Sequence, residues 1–227
     1  NQQIRVFNNN SGSLGNFTVQ VLGATVSSAM GAGAEIGSFL DVAQTPRDMH
    51  EGAAMLCTLR VGKGGITANN DSFVQRYDAV AQTSAYAQQE GTTVSGKVLG
   101  QLDRITYNDR TITTHATLTG TGGGAVVNTD TVNSVSALLA KKGDSFNGLT
   151  VVSILSETNA TGDVSAFRAT VTSPAEPLVK EAVFCDRSGS LTPEIAVGRA
   201  VGPIIAGAKY AKVLGYWTEG TTMLVNT

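Results

Sequence analysis

A chain of 227 residues with 41% hydrophobic and 15% charged side chains is long enough to bury a core and too apolar to stay disordered. Its net charge of −2 offers no basic field for a phosphate backbone, which argues against direct nucleic-acid binding. The apolar runs fall far short of the ~20 residues a helix needs to cross a bilayer, so no membrane partner is expected, and the opening NQQIRVFNNN lacks a signal-peptide apolar core.

In chain order, Ile4–Phe7 and Phe17–Leu22 read as strands, because β-branched and aromatic residues lie between Asn, Ser and Gly clusters. Residues Ala24–Val42 fit helix or loop, although their glycines oppose a long helix. Met55–Val61 reads as a strand. Phe73, Tyr77 and Val80 then fall at helical spacing, with Asp71 as a cap and Gly91 as a stop, which predicts a helix over this stretch. Val94–Leu102, Arg104–Tyr107 and Thr111–Leu118 read as strands, and Thr119–Ala125 as a flexible joint. A second helix is predicted over Thr131–Lys142, with Asp130 as N-cap, Val132, Val135, Leu138 and Leu139 on one face, and Gly143 at its end. Leu149–Glu157 and Val164–Thr172 flank TNATGD, a hairpin signal, and Val179–Cys185, Ile195–Val201 and Tyr210–Trp217 complete a β-rich C-terminal part.

These elements predict a mainly β fold of small β-barrel or β-sandwich modules with one or two helices. The expected divisions are an arm over 1–16, a β-rich module over 17–120, a Gly-rich joint and helix over 121–148, and a β-rich module over 149–227. A weak internal repeat pairs EGAAMLC (Glu51–Cys57) with VKEAVFC (Val179–Cys185) and GKVLG (Gly96–Gly100) with GRAVG (Gly198–Gly202). Gly96, Gly100, Gly198 and Gly202 are accordingly expected to hold tight backbone positions.

No catalytic constellation emerges. GAGAEIG (Gly31–Gly37) lacks the βαβ context a dinucleotide site needs and reads as a loop. His50, Glu51 and Cys57 match no zinc spacing, and His115 in TITTHATLT reads as a strand-face residue. Ser-rich stretches lack a Gly-x-Ser-x-Gly elbow. Asp41, Asp48, Asp103 and Asp109 lie beside turns, where solvated or capping roles suffice. Asn9, Asn16, Asn70 and Asn159 begin sequons of the kind a Ser/Thr-rich chain produces by chance. Cys57 and Cys185, the two cysteines, are expected free and buried. No metal, cofactor or enzymatic activity is expected.

The segment EAVFCDRSGSLTPEIAVGRAVGPIIAGAKYAKVLGY resembles the C-terminal β-module of tailed-phage capsid decoration (cement) proteins. The likeness lies in an apolar strand ending at Asp186, the turn at Gly189, Leu191–Pro193, the Val197–Ala200 strand and the apolar run Ala211–Leu214. It implies a virion structural role after assembly in a host cytoplasm. The implied partners are copies of the chain itself and other virion capsid proteins. Assembly is expected to use Ile4, Val6 and Phe7 of the arm and Tyr210, Val213 and Trp217 near the other end, since chain ends stay disordered unless docked. A jelly-roll capsid subunit, a tail-tube subunit and a secreted β-sandwich adhesin are the alternatives.

Overall fold

The computed structural model describes residues 3–8, 15–26, 31–44, 52–78, 81, 83–108, 110–120, 122–155, 164–187, 189–201, 207–219 and 222–227. Every regular element among them is a β-strand, so the mainly β expectation holds. Strands β1 (Gln3–Asn8) and β2 (Gly15–Val21) form a leading pair. Three larger sheets follow, each an antiparallel meander in chain order. The first contains β3 (Ile36–Gln44), β4 (Gly52–Leu59), β5 (Ser72–Asp78) and β6 (Thr83–Gln89). The second contains β7 (Thr93–Val94), β8 (Lys97–Tyr107), β9 (Thr111–Leu118), β10 (Gly124–Asp130) and β11 (Val135–Lys141). The third repeats that plan with β12 (Ser145–Phe146), β13 (Leu149–Ile154), β14 (Ser165–Thr172), β15 (Glu181–Arg187) and β16 (Ser190–Ala196). A trailing pair, β17 (Gly215–Glu219) and β18 (Thr222–Asn226), ends the series.

Successive residues of a strand point to opposite faces, and here both faces are apolar. In β4, Ala54 and Leu56 face the second sheet, while Met55, Cys57 and Leu59 face the leading pair. In β10, Ala125 and Val127 pack toward the first sheet and Val126 toward the third. In β15, Ala182 and Phe184 pack toward the second sheet, while Val183 meets Val213 and Tyr216 beside the trailing pair. The sheets therefore stack face to face, with one core between each neighbouring pair. This arrangement explains the continuous apolar runs AAMLC, AVV and AVFC, since a strand covered on both sides need not alternate with polar residues.

Both expected helices are strands. Phe73 and Tyr77 do share a face, but four is an even number, so they share a face of β5 as well, with Val74 on the other side. Across Thr131–Lys142 the turn at 131–134 leads into β11, which pairs with the β-branched β10, and the expected helix face is broken because Val132 and Val135 are exposed. Residues 121–148, read as joint and helix, thus hold two strands of the second sheet. The expected repeat also falls out of phase. Ala53–Cys57 lies in the second strand of the first sheet, whereas Ala182–Cys185 lies in β15, the strand equivalent to β5 and β10. The segment TNATGD, together with Gly202, His50, Glu51, Asp48, Asp109, Asn9 and Asn159, lies outside the described residues.

Candidate functional site

One local device recurs at every passage from sheet to sheet. The strands β2, β6, β11 and β16 each end two residues before a glycine: Gly23, Gly91, Gly143 and Gly198. All four glycines have φ between 80° and 97°, which bends the chain out of its sheet in a conformation that L side chains avoid. Each glycine N–H then donates to a carbonyl further on, and that same residue's N–H donates back to the residue after the glycine. The pairs are Gly23 N to Ile36 O (2.9 Å) with Ile36 N to Ala24 O (3.0 Å), and Gly91 N to Leu99 O (2.8 Å) with Leu99 N to Thr92 O (2.9 Å). Gly143 N to Val151 O (2.8 Å) with Val151 N to Asp144 O (2.9 Å), and Gly198 N to Tyr210 O (2.8 Å) with Tyr210 N to Arg199 O (3.0 Å), complete the set. In the two middle corners the chain reverses through Ser95-Gly96 and Asn147-Gly148, with both residues of each pair at positive φ, as a type I′ hairpin requires.

The sequence-chosen glycines divide on this geometry. A Cβ on Gly198 would lie 3.0 Å from the backbone oxygen of Leu178, a tight position, whereas one on Gly100 would lie 2.4 Å from Thr117 Oγ1, a side-chain atom that can turn aside. Gly96 faces open space, and its φ of 73° rather than crowding is what calls for glycine. Sequence reading did not find Gly23, Gly91 and Gly143 as equivalents of Gly198. The available signal was GTTVSG against GDSFNG, two six-residue stretches with glycine at both ends.

The six expected assembly residues fall at the two ends of the stack. Ile4 is half-buried and packs against the core beneath the leading pair. Val6 and Phe7 lie in β1 opposite Phe17 and Asn16, and Trp217 lies in β17 opposite Leu224, with their side chains outside the described set. Tyr210 closes the last corner and lines a cavity of about 210 Å³ with Glu194, Ile195, Val225 and Thr227. Val213 is fully buried in the chain's own core and is not available to a partner. The two groups of residues do not meet in a common sheet.

Several chemically capable side chains among the described residues are engaged in contacts within the fold. His115 Nδ1 bonds Asp103 Oδ1, and its Nε2 is buried without a hydrogen-bond partner against Gly124 and away from solvent. Burial pushes the Cys57 thiol up to about 12 and the Cys185 thiol up to about 11, and neither is in a disulfide. Glu90 accepts from Ser72 N and Oγ at 3.3 and 2.9 Å, and Ser72 Oγ accepts from Leu102 N at 3.0 Å, which ties the first sheet to the second. Gly31 and Gly64 bring two loops into backbone contact, since a Cβ on Gly31 would lie 2.1 Å from Gly64 O. The Gly-rich segment therefore packs against protein rather than forming an open cradle. No cluster of three or more His, Cys, Asp or Glu side chains suited to a metal occurs among the described residues. No family model, curated protein or solved structure matches the chain.

Proposed function

We propose that the protein is a non-catalytic assembly subunit whose work is to present a rigid stack of sheets to partners, in its most specific form a virion structural protein of the capsid-decoration kind. The observation that carries the reading is the corner repeated at Gly23, Gly91, Gly143 and Gly198. Repetition of one supersecondary unit builds extended binding surfaces, and the stability of each unit comes from its neighbours rather than from a reactive centre. A charged fraction of 15%, and the exposed side chains of Leu178, Leu214 and Leu224, favour surfaces that become covered. The virion form rests on the resemblance of residues 181–216, which span the end of the third sheet, its corner and the run into β17.

Negative-stain microscopy of the purified chain tests the reading. Rings, tubes or shell-like particles are expected. A field of dispersed single chains at micromolar concentration would overturn it and favour an adhesin-like binding module.

A further inference from the structure

The repeated corner fixes the phase of every strand. Leaving aside the two-residue strands β7 and β12, which belong to the corners, each complete sheet has four strands, and the corner comes after the fourth of them and before the first of the next sheet. The second strand always pairs antiparallel with the third: β4 with β5, β9 with β10 and β14 with β15. By this rule β2, which runs into the corner at Gly23, is a fourth strand and β1 is a third. Likewise β17, which follows the corner at Gly198, is a first strand and β18 is a second. The leading pair is the second half of a sheet and the trailing pair is the first half. The ladder from second strand to third, present in every complete sheet, is the one that neither pair contains.

We propose that β18 of one chain pairs antiparallel with β1 of a second copy of this chain, so that the two half-sheets merge into a complete four-stranded sheet shared between copies. The inference deepens the assembly reading and rests on it.

The edges suit this use. β1 reads QIRVFN and β18 reads TMLVN, which together carry one charged residue and neither lysine nor proline. Exposed edges of stable monomers are normally blunted by such residues. An isolated two-stranded ribbon is marginal in water, and completing the sheet removes that weakness.

A second copy fits better than the chain's own other end. The leading pair packs on the first complete sheet and the trailing pair on the third, with the second sheet between them. A ring of four sheets closing on itself would turn by about 90° at each step, as the smallest β-propellers do. Over four strands spaced ~4.8 Å apart, such a turn would part the far edges of neighbouring sheets by about 20 Å. Instead, the core between the first and second sheets draws on all four strand positions, from Ala43 in β3 to Ala87 in β6 and from Leu99 in β8 to Leu138 in β11.

Arg5 and Leu224 are exposed on the two strands, and Cys57 and Cys185 are buried, so added cysteines can be read without interference. An equimolar mixture of Arg5→Cys and Leu224→Cys chains, treated with a short bifunctional maleimide, is expected to give a band at twice the 23.4 kDa chain mass that neither variant gives alone. Absence of that band overturns the pairing. So does a doubly substituted chain that cross-links only within itself at monomer mass. A second measurement uses the unmodified protein: a peptide of residues 1–10 should lower the associated fraction in sedimentation, and an unchanged fraction counts against the proposal. Ordered particles without the cross-link would sink this pairing and leave the assembly reading intact. Cross-linked copies that build no ordered particle would uphold the pairing and remove the shell-building role.

Discussion

Gly198 and Gly143 hold equivalent corners with φ of 97° and 92°, but their surroundings differ. A Cβ at Gly143 meets nothing within 4 Å, whereas one at Gly198 meets Leu178 O at 3.0 Å and Leu178 C at 3.2 Å. Gly143→Ala should therefore cost only the left-handed backbone penalty, about 1–2 kcal/mol. Gly198→Ala should cost that and an overpacking term of about 1–3 kcal/mol besides. Urea unfolding of the two variants checks the difference, and equal losses would show that the Leu178 contact gives way freely. Glu90 offers a second test at this scale. Burial raises its pKa above the usual carboxylate value, against the opposing effect of the Ser72 hydrogen bonds. The folded chain thus binds this proton more tightly than the unfolded chain, so ionising Glu90 disfavours the fold as pH rises through the window above the ordinary value. Glu90→Gln keeps the size and an acceptor and removes the ionisation. It should melt at the same or a higher temperature than the parent at pH 7, with the difference shrinking toward about pH 4. A variant clearly less stable than the parent at neutral pH would show that the carboxylate's bonds to Ser72 outweigh its burial.

At the scale of elements, the turn from β10 to β11 is held by Asp130. Its Oδ1 accepts from Val132 N at 2.8 Å and Asn133 N at 3.1 Å, and its Oδ2 accepts from Asn133 Nδ2 at 2.8 Å. The hydrogen bonds from Asn133 and then Val132 hold its pKa below the usual range, so its contribution is present at neutral pH and is lost as pH falls through the depressed folded value. Asp130→Ala should cost about 1 kcal/mol at neutral pH, and its deficit should narrow in acid. A pH-independent deficit would mean that the turn is held by its backbone alone. The same residue explains why a helix was expected here. A carboxylate accepting from the next two or three backbone N–H groups is the chemistry of a helix N-cap and of an Asx turn alike, and only the β10 ladder decides between them. Strands flanked by Gly and Asn clusters, such as β9 and β14, were legible because their boundaries are local. The strand expected at Ile195–Val201 begins five residues earlier, as β16, and contains Pro193. The structure accommodates it at the far edge of the sheet, beside the bulge at Val183/Phe184. The two ends of the candidate surface were legible as apolar termini, but the complementary phase of β1 and β18 was not. It becomes visible only when the corners at Gly23, Gly91, Gly143 and Gly198 are aligned, and the Gly23 and Gly198 corners carry longer loops that hide the likeness.

At the scale of the whole molecule, a stack in which each sheet meets only its neighbours should come apart by layers, since stability is then close to a sum of layer and interface contributions. Phe184 tests this. It is fully buried between the second and third sheets, lies stacked on Phe167 with ring centroids 5.1 Å apart, and meets the edge of Phe146 at 5.6 Å. Phe184→Ala removes this cluster's centre and should cost about 3–5 kcal/mol at that interface. The core between the first sheet and the leading pair, built on Met55, Cys57, Phe73 and Tyr77, shares no residue with it. Hydrogen exchange on the variant should therefore show lost protection in β13–β16 and in the trailing pair that leans on them, while β4 and β5 keep nearly the parent's protection. Protection that falls equally in every sheet would show that the corners couple the layers into one cooperative unit, and that the stack is rigid because it is indivisible rather than because each interface holds by itself.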